Sequence, residues 1–244
     1  MIVTILIIIV ILAFMNRRSR KDPNSKIKDT TPTNHDVSLP SFQEIKSYLK
    51  SDVPSKKENG KLVNGRTGYK LAKETSIERS KNDLKQALEI NRNNNDFIEQ
   101  AKYDDSKATI ATDDYLSNIC IPYYFGGVLA YKQGDWDLAE KWWLMVLDIR
   151  PTNSAKKLEI MYRKQKRYKD NVIMYEKAIE YSKRYDKLTN QHLTKHLAEL
   201  KKTCSAELNK KSKNDHSIGI QEYPSMIDFN FIDKLQRIAQ NNAN

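Results

Sequence analysis

His192 and His196 stand four residues apart, the spacing at which two imidazoles on one helix face can hold a zinc ion. No Glu lies between them in the metalloprotease arrangement and no third ligand is apparent, so they read as surface histidines and no metal site is assigned. Asp104–Asp105 and Asp113–Asp114 offer carboxylates for general acid–base work. Neighbouring helical residues point about 100° apart, so neither pair can act on one atom, and solvated charge is the default. Cys120 and Cys204 make neither a disulfide framework nor a zinc module. The sequence has no Gly-rich phosphate loop, nucleophile elbow or kinase signature. The expectation is a protein that is not an enzyme and carries no cofactor.

Composition narrows the fold. Of 244 residues, 39% are hydrophobic and 30% charged, which is polar for one compact domain. Seven Gly and seven Pro are too few for a turn-rich all-β sandwich or a low-complexity chain. The net charge of +11 is uneven: residues 152–214 hold 17 basic and 7 acidic residues, which is +10. Lys156, Lys157, Arg163, Lys164, Lys166, Arg167 and Lys169 belong to that stretch. Such a face attracts nucleic acid, anionic lipid or acidic protein segments, or is simply a solvated helix surface. With no RNA-binding aromatic motif, zinc finger or bZIP register, nucleic acid is the weakest of the partners.

Residues 2–15 are apolar except Thr4, and Arg17, Arg18, Arg20 and Lys21 follow. Fourteen helical residues span about 21 Å against a hydrocarbon core of about 30 Å. Met1 and Asn16 lengthen the segment, and Arg17 and Arg18 can snorkel into headgroups. A cleaved signal peptide fits worse, because Phe14–Met15–Asn16–Arg17 stands where small residues belong. A lipoprotein would need a Cys after the run. A buried helix of a soluble core would need a polar face. Residues 1–16 are therefore expected to be a single-pass signal anchor, with the amino terminus outside and the rest of the chain cytoplasmic. Both cysteines are then free thiols in a reducing compartment.

The elements follow in order. Residues 17–70 read as a flexible tether with a short helix over 41–50 (Ser41 and Glu44 at capping-box spacing, Phe42, Ile45 and Leu49 on one face) and a loop holding a small hairpin at Asn64–Gly65. Residues 71–121 are helical. Ile77, Leu84 and Leu88 share a face, the pattern breaks at 91–95, and Asp96 caps a helix striped by Phe97, Ala101, Ala108, Ala111, Tyr115 and Ile119. Pro122 opens a helix that runs to Gln133, Gly134–Asp135 turns, and a second helix over 136–150 ends at Pro151. Gly127 and Ala139 are the small residues a close crossing needs, with Trp136 and Trp143 beside them.

This hairpin resembles a tetratricopeptide repeat (TPR). Gly127 falls on the small residue of the first helix, Trp136 on the aromatic opening the second, Ala139 on its small residue, Trp143 on its buried aromatic and Pro151 on the closing proline. Ala130 and Val146 depart from the family preference. A weaker copy follows 32 residues on, mapping Trp136 to Tyr168, Trp143 to Tyr175 and Val146–Leu147 to Ala178–Ile179, with Lys166–Arg167 at the turn and Asn171 for the small Ala. Residues 84–94 resemble the end of another repeat. The resemblance implies an all-α, TPR-like α-solenoid: a degenerate repeat within 71–121, two repeats over 122–185, and a capping helix over 186–213 that buries Leu193, Leu197, Leu200, Cys204 and Leu208.

In that family ligands lie on the concave surface lined by first helices. The matching residues are Tyr124, Val128, Tyr131, Lys156, Ile160, Arg163 and Lys164. The Lys and Asn of the family's carboxylate clamp would fall at Tyr124 and Val128, so that clamp is absent. What remains suits a protein segment with apolar and acidic residues. Residues 214–244 form a linker and an amphipathic helix carrying Met226, Phe229, Phe231, Ile232, Leu235 and Ile238, which packs back on the repeats, occupies the groove or binds elsewhere. The expectation is thus a membrane-anchored scaffold holding a protein partner at the cytoplasmic face. The alternatives are a basic module for nucleic acid or anionic lipid and an accessory subunit of an envelope or secretion complex.

Overall fold

In a computed structural model of the chain, residues 41–104, 109–189 and 193–242 are described. The expected anchor over 1–16, tether residues 17–40, Asp105, Ala108 and His192 lie outside the described residues. The described chain is mostly helical, with nine α-helices, one 3-10 turn and one two-stranded hairpin. No helix among the described residues is long and apolar enough to cross a membrane.

The short helix expected over 41–50 forms, and a hairpin follows it. Helix α1 (Gln43–Lys50) buries Ile45 and Tyr48, and Phe42 sets an edge-on ring against Tyr123 at 5.5 Å. That burial makes Phe42 the N-cap residue, so the Ser41/Glu44 capping box does not form. Strands β1 (Ser55–Glu58) and β2 (Lys61–Asn64) pair antiparallel, Ser55 opposite Asn64. Their turn is Asn59–Gly60, both at positive φ as a two-residue hairpin requires. The chain also turns back after Asn64–Gly65 as expected, with Val63 bridged antiparallel to Lys70 and the Asn64 N–H donating to the Tyr69 carbonyl at 2.8 Å. Asn64 anchors that second turn. It is fully buried, donates from Nδ2 to the Gln133 carbonyl at 2.9 Å, and accepts the Arg66 N–H on Oδ1 at 2.9 Å.

Helices α2 (Glu74–Glu89), α3 (Asn94–Ala101) and α4 (Thr109–Lys132) follow. Asn93 caps α3 by accepting the Asn95 and Asp96 N–H groups while Asp96 accepts the Asn93 N–H, so Asp96 closes the capping box as its third residue and is not the N-cap. The single stripe expected from Phe97 to Ile119 is two helices, and buried Asp104 accepts the Ala111 N–H at 3.3 Å where they part. Helix α4 runs straight through Pro122 instead of starting there. An interior proline costs about 3 kcal/mol. Buried Leu116, Ile119, Cys120 and Leu129 lie on both sides of it, and their burial at about 1.5–3 kcal/mol for each large side chain outweighs that cost.

Helix α5 (Trp136–Met145) ends five residues before the expected Arg150. Residues 146–150 turn with Val146, Leu147 and Ile149 buried, and Arg150 reaches across to Asp113 at 3.2 Å and to Ser117. Pro151 therefore opens α6 (Pro151–Gln165), where a missing N–H costs nothing. After left-handed Lys166 comes α7 (Tyr168–Thr189), then α8 (Thr194–Lys211), which starts later than expected because α7 continues to Thr189. Helix α4 packs against α1, α2, α3, α5 and α7, and the successive pairs α5–α6, α6–α7 and α7–α8 are neighbours. The terminal helix α9 (Phe229–Asn242) packs on α3 and α4, burying Phe231, Ile232 and Leu235, with Phe231 edge-on to Tyr115 at 4.9 Å.

Candidate partner-binding face

The repeat-like contacts come first, because they position the surface. Trp143 is 1% exposed, and its indole N–H donates to the Tyr124 carbonyl at 3.2 Å. That lays the ring against Gly127. A methyl there would meet Trp143 Nε1, with Cδ1 at 2.7 Å and Cε2 at 2.8 Å. Ala139 is fully buried. Trp142, absent from the sequence argument, is fully buried too, edge-on to Tyr48 at 5.3 Å and over Gly126. At the α4–α5 turn Gly134 has φ +72°, and a side chain there would strike the Tyr69 carbonyl at 2.6 Å. Trp136 is half-buried, stacked between Tyr69 (4.1 Å) and Tyr131 (5.1 Å). In the second hairpin Tyr168, Tyr175 and Ala178 are buried, and the Tyr175 hydroxyl donates to Glu159 at 2.6 Å.

The residues expected to line a groove divide into two sets. Tyr124, Val128 and Tyr131 are half-buried along α4. Burial pushes the Tyr124 hydroxyl up to about 12. Lys164 of α6 donates to the Tyr131 hydroxyl at 2.7 Å with its ammonium 5.2 Å over the ring. Ile160 is half exposed. Lys156 is exposed. Arg163 turns away from this set: it bridges to Glu207 of α8 at 2.9 Å and to Glu159 at 3.4 Å, so it ties α6 to α8.

Two lysines complete the face and were not singled out for it from the sequence. Lys157 lies 5.8 Å over the Tyr124 ring. Burial, and then Lys132 nearby, pull its pKa below the usual lysine value. Lys132 reaches α2, donating to Ser80 Oγ at 2.6 Å and the Ser76 carbonyl at 3.1 Å. The face is thus aromatic along α4 and cationic along its α6 edge. Its signal was the i, i+7 spacing of Lys157 and Lys164 over the i, i+7 spacing of Tyr124 and Tyr131.

The other missed residue is Arg167, which the sequence presents as one more surface charge. It is 4% exposed. Its guanidinium grips Glu140 of α5 through two bonds at 2.7 and 2.9 Å, Asp170 at 2.7 Å and the Gly219 carbonyl at 2.8 Å, and stacks on Tyr162 at 4.3 Å. Burial works against its charge, but the hydrogen bonds to Glu140 and Asp170 outweigh it and hold the pKa above the ordinary arginine value. Arg167 therefore joins both hairpins to the segment leading to α9. No cluster of three His, Cys, Asp or Glu side chains able to hold a metal occurs among the described residues, and His196 is exposed. Cys120 and Cys204 are buried free thiols.

No protein-family model, curated protein or solved structure matches the chain.

Proposed function

We propose that the chain is a TPR-like α-solenoid scaffold, anchored in a membrane through residues 1–16, that holds a protein partner at the cytoplasmic face of the bilayer. The observation that carries this is the α4–α6 face: Tyr124 and Tyr131 held from behind by the Gly127–Trp143 contact and edged by Lys157 and Lys164. Aromatic rings fixed on a helix lose little entropy on binding, and ammonium groups beside them favour a segment with apolar and acidic residues. The apolar run and the basic residues that follow it support the anchor and its orientation. The reading assigns no catalysis, metal or cofactor.

The test is affinity capture from detergent-solubilised membranes with the full chain and with Ile160→Asp/Lys164→Glu, both at exposed positions of α6. The double variant is expected to bind its partner at least about 10-fold more weakly, as loss of one interface anchor does, with unchanged far-ultraviolet dichroism. Equal capture by both proteins would remove the face from the proposal.

A further inference from the structure

A second surface lies where α8 ends. The 3-10 turn Ser212–Asn214 carries the chain from α8 onto the α6–α7 corner. Lys211 sits 5.1 Å over the Tyr168 ring, and the Asp215 carboxylate accepts the Tyr168 and Lys169 N–H groups at 2.8 and 3.2 Å, capping α7 from outside its own sequence. The His216 N–H donates to the Lys166 carbonyl at 2.9 Å, and the Ile218 N–H to Asp170 at 3.0 Å. These contacts bring together the helix ends and the turn that carry Lys166, Lys169, Lys210, Lys211 and Lys213, all exposed, with Ile218, which is 82% exposed, on the segment that follows.

The acids nearby are already engaged. Glu207 takes Arg163 and Lys211, Asp170 takes Arg167, and Asp215 takes backbone N–H groups. Of the five lysines, Lys211 is the one that forms an ion pair among the described residues. The like charges of Lys166, Lys169, Lys210 and Lys213 on one corner repel, and an external anionic surface relieves that repulsion.

We propose that this corner docks on an anionic lipid bilayer, its lysines among the headgroups and Ile218 entering the acyl boundary. The chemistry separates a bilayer from a single-stranded nucleic acid. Base stacking needs an open aromatic ring, and the ring of this corner, Tyr168, is buried beneath Lys211. An exposed aliphatic on a corner rich in long flexible cations is instead the pattern of an interfacial membrane contact. The proposal goes beyond the scaffold reading and needs neither the α4–α6 face nor a protein partner.

The test uses the full chain with Ile218→Cys labelled by an environment-sensitive fluorophore; Cys120 and Cys204 are buried. It is reconstituted in phosphatidylcholine vesicles with or without roughly one-third phosphatidylserine. Emission is expected to move to the blue only with phosphatidylserine and to return in high salt. Adding Lys169→Gln, Lys210→Gln and Lys213→Gln should weaken docking about 5-fold per lysine, on the order of 100-fold together, whereas the same three positions as Arg should keep it. Identical emission in both vesicles, or a shift that survives the Gln changes, overturns the proposal. So does a larger shift with a single-stranded oligonucleotide than with phosphatidylserine, which reassigns the corner to nucleic acid.

Discussion

Replacing Gly127 by Ala sets two effects of opposite sign against each other. On a solvated helix face the change stabilises by about 1 kcal/mol, because glycine is the poorer helix former. Here the new methyl enters the Trp143 ring, with Cδ1 at 2.7 Å and Cε2 at 2.8 Å where ordinary contact begins near 3.4 Å. The ring cannot swing aside freely: it is 1% exposed and its N–H is held by the Tyr124 carbonyl at 3.2 Å. Overfilling a close-packed site costs about 1–3 kcal/mol, and a strained or lost indole hydrogen bond adds about 1 kcal/mol. The net expectation is destabilisation by about 1–3 kcal/mol, a fall in Tm of about 2–12 °C for a domain of this size. Calorimetry measures it, and a double-mutant cycle with Trp143→Phe tests the cause, since a smaller ring makes the alanine less costly. A Tm that rises in Gly127→Ala, or strictly additive effects in the cycle, would refute the argument that the indole dictates glycine.

Three further outcomes follow from other contacts. Arg167→Met leaves buried Asp170 and partly buried Glu140 without their cation and should cost about 3–5 kcal/mol in urea unfolding; Arg167→Lys should recover only part, because one ammonium cannot hold Glu140 through two bonds while also reaching Asp170 and Gly219. Removing residues 224–244 strips Phe231, Ile232 and Leu235 from α3 and α4, at about 1.5–3 kcal/mol each, so Tm should fall by more than about 10 °C; an unchanged Tm would mean α9 does not pack there. Stability should also decline as pH rises from about 9 to about 12. Burial pushes Cys120 and Cys204 from 9.0 and Tyr124 from 10.0 up to about 12, so in that window the unfolded chain has released protons the folded chain still binds. Urea midpoints at pH 8 and pH 11 measure it, and equal midpoints contradict these shifts.

What was legible in the sequence were features enforced by local chemistry. The Gly134–Asp135 turn, the helix starting at Trp136 and the second helix pair 32 residues on carry periodicity and turn signals within a few residues of each element. The amphipathic period of 226–238 announced α9, although its partner surface on α3 and α4 had no local signal. Errors arose where a distant contact outranked a local rule. Pro122 is a reasonable helix start until the buried residues on both sides of it are counted. Two Asn–Gly steps lie five residues apart and the chain turns at both, but the long-range bond from buried Asn64 to the Gln133 carbonyl, which ties the second turn to the end of α4, had no local signal.

Charge was the hardest property to read, because sequence counts it but does not say where it goes. Arg163 and Arg167 sit four residues apart among similar lysines. One bridges α6 to α8, and the other disappears beneath the segment that leads to α9. Lys157 and Lys164 of the same stretch border tyrosines of α4, and Lys166 and Lys169 lie at the corner just past the end of α8. A single run of positive charge therefore does three jobs, and salt should separate them. The buried Arg167 contacts are shielded from ions, so helicity and Tm should hold as ionic strength rises, while the exposed corner around Ile218 loses its attraction over a distance of about 8 Å at physiological salt. A protein that unfolded in moderate salt before releasing an anionic vesicle would reverse that order, and with it the division between structural and surface charge.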